Sequence, residues 1–518
     1  MNYLNTKNSY KLFDDAIHQR IYVDKTLLIE KMSDNIEYRN KYICITRPRR
    51  FGKTINANML AAYYTKEYAS HELFDRLKIA QTNDYEKHMN KYNVVYIDFS
   101  ILPDLCNNYQ QYISWIKSAL INDLQSIYPI NHIDNAPISF ILNQTNDSFI
   151  FILDEWDSIF YKDFMTEKDK IDYLQFLKGL LKDQSYVDLA YMTGVLPIAK
   201  YSSGSELNMF KEYNFMNDPI YDEYFGFSED EVKELCKEYL NPRYEELQYW
   251  YNGYYLHDGR KLFNPRSVNN ALSDGVCRNY WTETGPMNEI ANYIEHNVDE
   301  VREDIVNLVA GNPVKIQLNG YSVTDLRLNT RDEILSAMVV FGFLSYHDGY
   351  LTIPNYELMQ KFNRVLSRES MHGVKKIVEQ SQKMLEATLN QDEKKVAEIL
   401  EMVHDQEIPF LNYHDENSLS CVITLCYLYA RDDYDITREE KSGKGYVDYL
   451  FIPKRKEYPA IVLELKYKSS VDAALQQIKG KNYIEKVKDY QDILLVGINY
   501  DGNKHHECLI EKAKKEVY

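Results

Sequence analysis

Tyr42-Ile43-Cys44-Ile45-Thr46-Arg47-Pro48-Arg49-Arg50-Phe51-Gly52-Lys53-Thr54 is the stretch whose reading decides the fold. Tyr42 to Ile45 is a short apolar run and reads as a buried strand. It stops at Thr46, a basic loop follows, and Ile55 to Tyr64 continues with helical patterning. Strand, loop, Gly-Lys-Thr, helix is the layout of a phosphate-binding loop. Its amides and the helix N-terminus face the phosphates, Lys53 neutralises charge at the β/γ end, and the Thr54 hydroxyl holds Mg²⁺. Arg47, Pro48, Arg49, Arg50, Phe51, Gly52, Lys53 and Thr54 are therefore the candidate contacts to ATP. One position departs from the full pattern: it wants a glycine five residues before Gly52, where Arg47 stands.

A second apolar strand, Phe149 to Leu153, ends in Asp154-Glu155-Trp156-Asp157. An apolar strand delivering Asp-Glu at its C-terminal end is the other half of a nucleotide-hydrolysing site. Asp154 would hold Mg²⁺ through water and Glu155 would polarise the attacking water. Acidic strand ends are common, but about 100 residues after a Gly-Lys-Thr loop this one is specific, because parallel α/β sheets place ligands at strand C-termini. A third strand, Leu189 to Met192, runs into Thr193-Gly194. Thr193 is either a γ-phosphate sensor or part of a simple turn. Arg49 and Arg50 either contact phosphate, on this chain's or a neighbouring subunit's nucleotide, or flank the loop with acidic neighbours. The first alternative leaves a homo-oligomer open. Arg260 and Arg266 are further candidates for an arginine finger.

Composition bounds the rest. The 518 residues give room for roughly three or four domains. No run approaches the ~18 apolar residues of a membrane span, and no signal peptide is evident at the N-terminus. Seven Cys are scattered without a Cys-x-x-Cys pair, which predicts reduced thiols in a cytoplasmic protein, not a disulfide frame or zinc site. Net charge is −18, which disfavours a general nucleic-acid coat. Residues 441–518 carry 15 Lys and Arg against 11 Asp and Glu, a balance of +4 that leaves −22 for the first 440. The basic excess at the C-terminal end permits nucleic acid there.

Elsewhere, Leu27 to Met32 and Tyr109 to Ile127 are patterned as helices and Val94 to Phe99 as a strand. Ser228 with Glu231 forms a capping box, and Pro197 to Phe215 reads as loop, with Ser202-Ser-Gly-Ser205 within it. Arg331 to Phe341 predicts a helix, followed by a hairpin turning at Asp348-Gly349, a combination similar to a winged helix. Met371 to Met402 is patterned as one long amphipathic helix.

Tyr446 to Ile452 and Ala460 to Lys466 are both strand-like, with a polar stretch between. A hairpin centred on Lys456 pairs Ile452 with Ala460 and sets Asp448 opposite Glu464. Two opposed carboxylates ~5 Å apart repel, and a divalent metal between them removes the repulsion. Lys466 shares the face of Glu464, two residues away. The carboxylates can hold Mg²⁺ while Lys466 orients a hydroxide or steadies a pentavalent phosphate. A solvated hairpin with unrelated charges is the plainer alternative. The following helix, Val471 to Val487, carries an apolar stripe at Val471, Ala474, Leu475 and Ile478, with Gln477 beside it.

Tyr22-Val-Asp-Lys-Thr26, Arg47 to Thr54, Leu153 to Asp157, Thr193-Gly194, Phe225-Gly-Phe227, Trp250 to Tyr254 and Asn264-Pro-Arg-Ser267 occur in this order. Together they resemble the predicted AAA-ATPase-like family, whose members commonly end in a domain similar to the PD-(D/E)XK nuclease superfamily. Gly445-Tyr-Val-Asp448, Glu464-Leu-Lys466 and Gln477-Ile478 match that ending. The resemblance implies an α/β fold: a P-loop NTPase parallel-sheet core with a helical or winged-helix lid, then an α/β restriction-endonuclease-like domain. The implied divisions are 1–220 for the core, 221–370 for the lid, 371–408 for a helical linker and 409–518 for the nuclease-like domain. It makes Arg47 usual for the family, and it implies that Glu416, in Asn412 to Asn417, completes a metal site with Asp448 and Glu464. Glu155, Asp448, Glu464, Lys466 and Gln477 are the catalytic candidates, and ATP and Mg²⁺ the expected cofactors. The expected function is ATP binding and hydrolysis regulating a metal-dependent nuclease-like domain on DNA or RNA. The alternatives are an ATP-driven switch that binds without cutting, and a pseudo-ATPase that binds without turnover.

Overall fold

The computed structural model describes residues 2–130, 136–198, 206–215, 218–281, 294, 296, 301–316, 328, 330–367, 372–404, 416–442, 445–455, 457–480, 487, 490, 492–503 and 505–514. Residues 199–205 of the loop expected at 197–215, the hairpin centre at Lys456 and the side chain of Glu416 lie outside the described residues; Lys211–Tyr213, read as part of that loop, is a strand at the sheet edge. The chain divides into two compact units, Met1–Pro286 with Lys315–Leu358, and Met287–Val314 with Met359–Tyr518.

The first unit is built on a five-stranded sheet. Its strands are β1 (Tyr42–Thr46), β2 (Asn93–Asp98), β3 (Phe149–Asp154), β4 (Val187–Gly194) and β5 (Lys211–Tyr213), in the order β2-β3-β4-β1-β5. Every neighbouring pair is parallel. Strands covered on both faces read as continuous apolar runs, and Phe149 to Leu153 are all fully buried. In this order β4 separates β1 from β3, so Thr193-Gly194 ends between the phosphate loop and Asp154-Glu155. Gly194 is required there: a Cβ would overlap Asp157 and Trp156. The helix Tyr109–Ile127 spans the residues its patterning predicts, with the Asn108 side chain capping it by accepting from Gln111 N.

Beyond the sheet, Ser228 and Glu231 form the predicted capping box at the head of helix Glu229–Glu238. Helix Pro265–Asp274 has Asn264 as N-cap and Pro265 in its first turn. Both helices bury an apolar face with Phe227, Leu247, Tyr251 and Phe263. Helix Arg331–Val340 precedes a hairpin pairing Ser345 with Thr352 and His347 with Tyr350. Asp348 (φ 48°) and Gly349 (φ 85°) form its two-residue turn, both in the left-handed region such a turn requires.

The second unit carries a mixed five-stranded sheet in chain order: Tyr434–Ser442, Gly445–Pro453, Ala460–Tyr467, Asp492–Tyr500 and His506–Lys514. One neighbouring pair is parallel, Ala460–Tyr467 with Asp492–Tyr500, and helix Val471–Gly480 makes the crossover it needs. That helix buries the predicted Ala474, Leu475 and Ile478 against Ala460, Val462, Ile493 and Leu495. It ends at Gly480, and residues 481–486 lie outside the description. The single helix expected from Met371 to Met402 is two helices, His372–Leu389 and Glu393–His404. Gln391 turns left-handed (φ 56°), and Asp392 caps the second helix by accepting from Lys395 N at 3.0 Å. The apolar stripe continues across this break, which is why periodicity alone hid it.

A buried carboxyl in the first unit gives a stability test. Glu212 on β5 accepts from Thr46 Oγ1 (3.3 Å) and Ile198 N (3.1 Å), and burial pushes its pKa up to about 7. A folded-state value above the unfolded one means the ionised carboxylate costs stability. That cost is absent below pH ~4.3, grows as pH rises to about 7 and is constant above. Glu212→Gln is therefore expected to stabilise the protein at pH 8, by about 1–2 kcal/mol, and to change little near pH 4.5. Thermal melts at both pH values check it; a Tm at pH 8 equal to or below that of the parent contradicts it.

Candidate active sites

The loop after β1 wraps around its own lysine. Gly52 is the N-cap of helix Lys53–Tyr64 with φ 87°, a conformation glycine takes without strain. Lys53 is buried, and its Nζ donates to the carbonyls of Arg47 (3.1 Å) and Pro48 (3.0 Å). Burial lowers its pKa, while Glu155, Asp157 and Asp154 oppose that shift. Thr54 lies near enough to the Asp154 side chain to oppose part of the rise in its pKa. Asp154 is fully buried and also accepts from Tyr96 Oη at 3.2 Å. Its carboxyl is pushed up to about 7, first by burial and then by Asp98 and Glu155. Thr54 and Asp154, the two residues read as Mg²⁺ ligands, thus meet, and an acid drawn above its ordinary range by neighbouring carboxylates suits a divalent cation.

Glu155 takes a left-handed backbone (φ 51°), and Trp156 N then donates to Thr193 O at 3.0 Å. This turn places Glu155 on a cavity of about 870 Å³ with Lys53 and Thr54. Arg49 and Arg50 line the same cavity from the loop, Arg20 from the N-terminal segment and Arg266 from helix Pro265–Asp274. Arg260 lies elsewhere, ion-paired with Asp258 at 2.6 Å. Thr193 is fully buried, and its hydroxyl has no hydrogen-bond partner among the described residues. It does not line the cavity. Asp157 accepts from Val195 N (3.1 Å) and Leu196 N (2.9 Å), tying the end of β3 to the end of β4.

Three of the eight loop residues turn their side chains away from the cavity. The Arg47 guanidinium, read as a nucleotide contact, is buried and ion-paired with Asp218, and it donates to the carbonyls of Thr46 and Tyr213. Arg47 serves the site through its backbone carbonyl, which receives Lys53. Phe51 is fully buried, edge-on to Tyr254 (5.0 Å between centroids) and Phe215 (5.3 Å). Pro48 abuts Gly342, where a Cβ would overlap it. These side chains brace the loop, and Arg49, Arg50, Gly52, Lys53 and Thr54 face the cavity. The Tyr22-to-Thr26 motif is structural as well: Lys25 pairs with Glu231 at 2.8 Å, and Asp24 accepts from Thr26 and Lys78 N.

Asp98 was not singled out by the sequence reading. It ends β2 in register with Asp154 and raises that residue's pKa. The signal was present, since Val94 to Ile97 followed by Asp98 repeats the apolar-strand-then-Asp pattern of β3.

In the second unit the strands Gly445–Pro453 and Ala460–Tyr467 pair Tyr449 with Leu463, Leu450 with Val462 and Phe451 with Ile461. This is the register in which Asp448 faces Glu464. Asp448 Oδ2 accepts from Leu465 N at 2.7 Å. Glu464 is buried, and its Oε1 receives Lys466 Nζ (3.1 Å) and the amide of Gln477. Its Oε2 has no hydrogen-bond partner among the described residues. Burial, then Asp448, pushes the Glu464 carboxyl up to about 7. Asp448, Glu464, Lys466 and Gln477 therefore converge from two strands and the crossover helix. Two carboxylates with an orphaned buried oxygen fit a divalent cation. Glu416 opens helix Glu416–Cys426. Among the described residues, no group of three or more His, Cys, Asp or Glu is gathered for a metal.

Residues 11–203 match the family model described as Predicted AAA-ATPase, and residues 414–508 match that of the PD-(D/E)XK nuclease superfamily. The two matches fall in separate regions, an AAA-ATPase-like region first and a nuclease-superfamily domain after it. Among solved structures, the chain is similar to an ORC2 protein of Aeropyrum pernix in its ADPNP-ADP complexes. That similarity is 12% identity over 67% of this chain and 96% of that one, with a TM-score of 0.33. A Walker-type ATPase of Pyrococcus abyssi matches at 11% identity over 64% and 94%, with a TM-score of 0.33. A STAND protein with a tetratricopeptide repeat sensor from Pyrococcus horikoshii matches at 12% over 80% and 53%, with a TM-score of 0.25. No curated protein matches the chain. Among the described residues, no helix is long and apolar enough to cross a membrane.

Proposed function

We propose that this chain binds and hydrolyses ATP, and that its nucleotide state regulates a metal-dependent nuclease-like domain acting on DNA or RNA. The observation that carries the first half is the meeting of Lys53, Thr54, Asp154 and Glu155 at the C-terminal edge of a parallel sheet. Mg²⁺, held by Thr54 and Asp154, would supply charge neutralisation at the phosphates. Lys53 would bind the β/γ end and Glu155 would orient the attacking water, taking its proton. Arg49, Arg50 and Arg266 would stabilise the transferring phosphoryl group from within the same chain. Thr193 would act as a sensor only after its buried hydroxyl gains a path to the phosphate. We assign residues 1–220 to the ATPase core, 221–370 to its lid, 371–408 to a helical connection and 409–518 to the nuclease-like domain.

The second half rests on the Asp448, Glu464, Lys466 and Gln477 cluster, with Glu416 as the third acidic ligand. Lys466 would be displaced toward the scissile phosphate, since its ammonium now sits on Glu464 Oε1 and on Leu465 O at 2.9 Å. That same contact favours one alternative, a switch whose nuclease-like domain binds without cutting.

One experiment tests both halves: purified protein assayed for ATP hydrolysis and for cleavage of plasmid, single-stranded DNA and RNA, with Mg²⁺ or Mn²⁺, with and without ATP. Glu155→Gln is expected to keep ATP affinity and lose hydrolysis by about 10²-fold or more. Equal turnover in Glu155→Gln and the parent removes Glu155 from the mechanism. Hydrolysis with no cleavage on any substrate or metal selects the switch.

A further inference from the structure

Glu357 is fully buried at the first turn of helix Tyr356–Leu366. Its Oε1 accepts from the backbone N–H groups of Tyr280 (2.7 Å) and Trp281 (2.9 Å), and its Oε2 from the Ser267 hydroxyl (2.8 Å). All three partners are donors, so they favour the carboxylate over the acid, against a burial that pushes the group up to about 7. What they support is the arginine wall of the nucleotide cavity. Arg50 donates to Tyr280 O (3.4 Å), and its guanidinium lies 5.6 Å from the centre of a Trp281 ring. Ser267 follows Arg266 in the first turn of helix Pro265–Asp274. Arg50 and Arg266 both line the cavity, and they repel each other; Glu357 attracts Arg50.

We propose that Glu357 is a positioning residue that sets Arg50 and Arg266 against the terminal phosphate of the bound nucleotide. The role rests on the phosphate-loop reading above. One buried carboxylate grips the backbone that carries the contacts of Arg50 and the helix turn that carries Arg266. Two guanidinium groups that repel are thereby fixed on one cavity by an acid that does not itself line it. The N-terminal strand-and-loop residues bind phosphate without Glu357; it supplies the orientation of the cations that meet them.

The test uses the full chain. Glu357→Gln can keep every contact, with its amide oxygen accepting both N–H groups and its NH₂ donating to Ser267 Oγ. Only the charge is removed. The expected result is a fall in kcat for ATP hydrolysis of about tenfold, with KM changed by less than about threefold. The preference for ATP over ADP in equilibrium binding is expected to fall about as much. Arg50→Ala should show the same pattern, and Glu357→Gln on that background should add less than its full effect, because only the Arg266 part of its role remains. Ser267→Ala, which removes one contact and leaves the acid, is expected to lower kcat in the same direction and decides the matter if Glu357→Gln does not fold. Parental kcat and parental ATP-over-ADP preference in Glu357→Gln overturn the role and leave the nucleotide site standing, as does full additivity with Arg50→Ala. A parent protein that neither binds nor hydrolyses ATP overturns the phosphate-loop reading itself.

Discussion

Lys53→Ala is expected to weaken ATP binding by about 10²-fold or more while leaving the fold intact. Truncating one member of a buried, hydrogen-bonded charge pair typically costs 2–5 kcal/mol, and under the proposed function the triphosphate would be the partner. The stability side has a different sign balance. Lys53 Nζ makes two carbonyl hydrogen bonds, each worth about 1 kcal/mol net. Against them stands a buried ammonium whose pKa is lowered by that burial. Removing the cation relieves its desolvation, so the two effects nearly cancel and the melting temperature without nucleotide should move by only a few degrees. Arg49, Arg50 and Arg266 line the same cavity from other positions, whereas Lys53 is held on the loop's own carbonyls, so none of the arginines is expected to replace it. Titration with a fluorescent ATP analogue, alongside thermal melts, separates the two quantities. Undiminished affinity in a folded Lys53→Ala protein would falsify the assignment of this loop as the phosphate site.

The parts of both sites that depend on local chain were legible in the sequence. The Gly-Lys-Thr turn, the Asp-Glu end of β3 and the capping box at Ser228 each need only a few neighbouring residues, and each is where the pattern puts it. The hairpin register was legible for a related reason. A short connection between two strands leaves few pairings, and the one obtained by centring the hairpin on Lys456, which sets Asp448 against Glu464, is the one observed. The fate of Arg47 was not legible, because its partner Asp218 is 171 residues away and only the closed sheet brings them together. Its reading as a phosphate contact was reasonable for a cation in a phosphate loop and wrong for a side chain with a buried acid behind it. Glu357 was hidden in the same way. Arg266 was a candidate finger beside Arg260, and the two are told apart by how helix Pro265–Asp274 packs, which no local pattern encodes. The break at Gln391 is the converse case: Asn390-Gln391-Asp392 carried the turn and cap signal, and the continuing apolar stripe outweighed it.

Glu464→Gln is expected to abolish metal-dependent cleavage, by about 10³-fold or more, in a protein that still folds and still hydrolyses ATP. The amide has the same shape, so the burial of Glu464 between its strands and helix Val471–Gly480 is preserved. What is lost is the charge that would hold a divalent cation together with Asp448, and the orphaned Oε2 becomes part of an amide. Lys466 then loses the anion it contacts at 3.1 Å, which frees the ammonium without giving it a metal site to serve. Asp448→Ala should give the same loss through a different local cost. Its carboxylate accepts from Leu465 N, so truncation leaves one backbone donor unpaired, at about 1–3 kcal/mol. The pair therefore discriminates chemistry from folding: Glu464→Gln changes charge at constant shape, and Asp448→Ala changes both. Cleavage lost in both, with ATP turnover retained in both, locates the chemistry at this carboxylate pair. Cleavage at the parental rate in Glu464→Gln would mean that the cutting belongs to other residues or that the cluster is only a structural polar network, whichever substrate is used. Calorimetric titration with Mn²⁺ adds a readout independent of cleavage, since binding that needs both carboxylates should vanish in each variant.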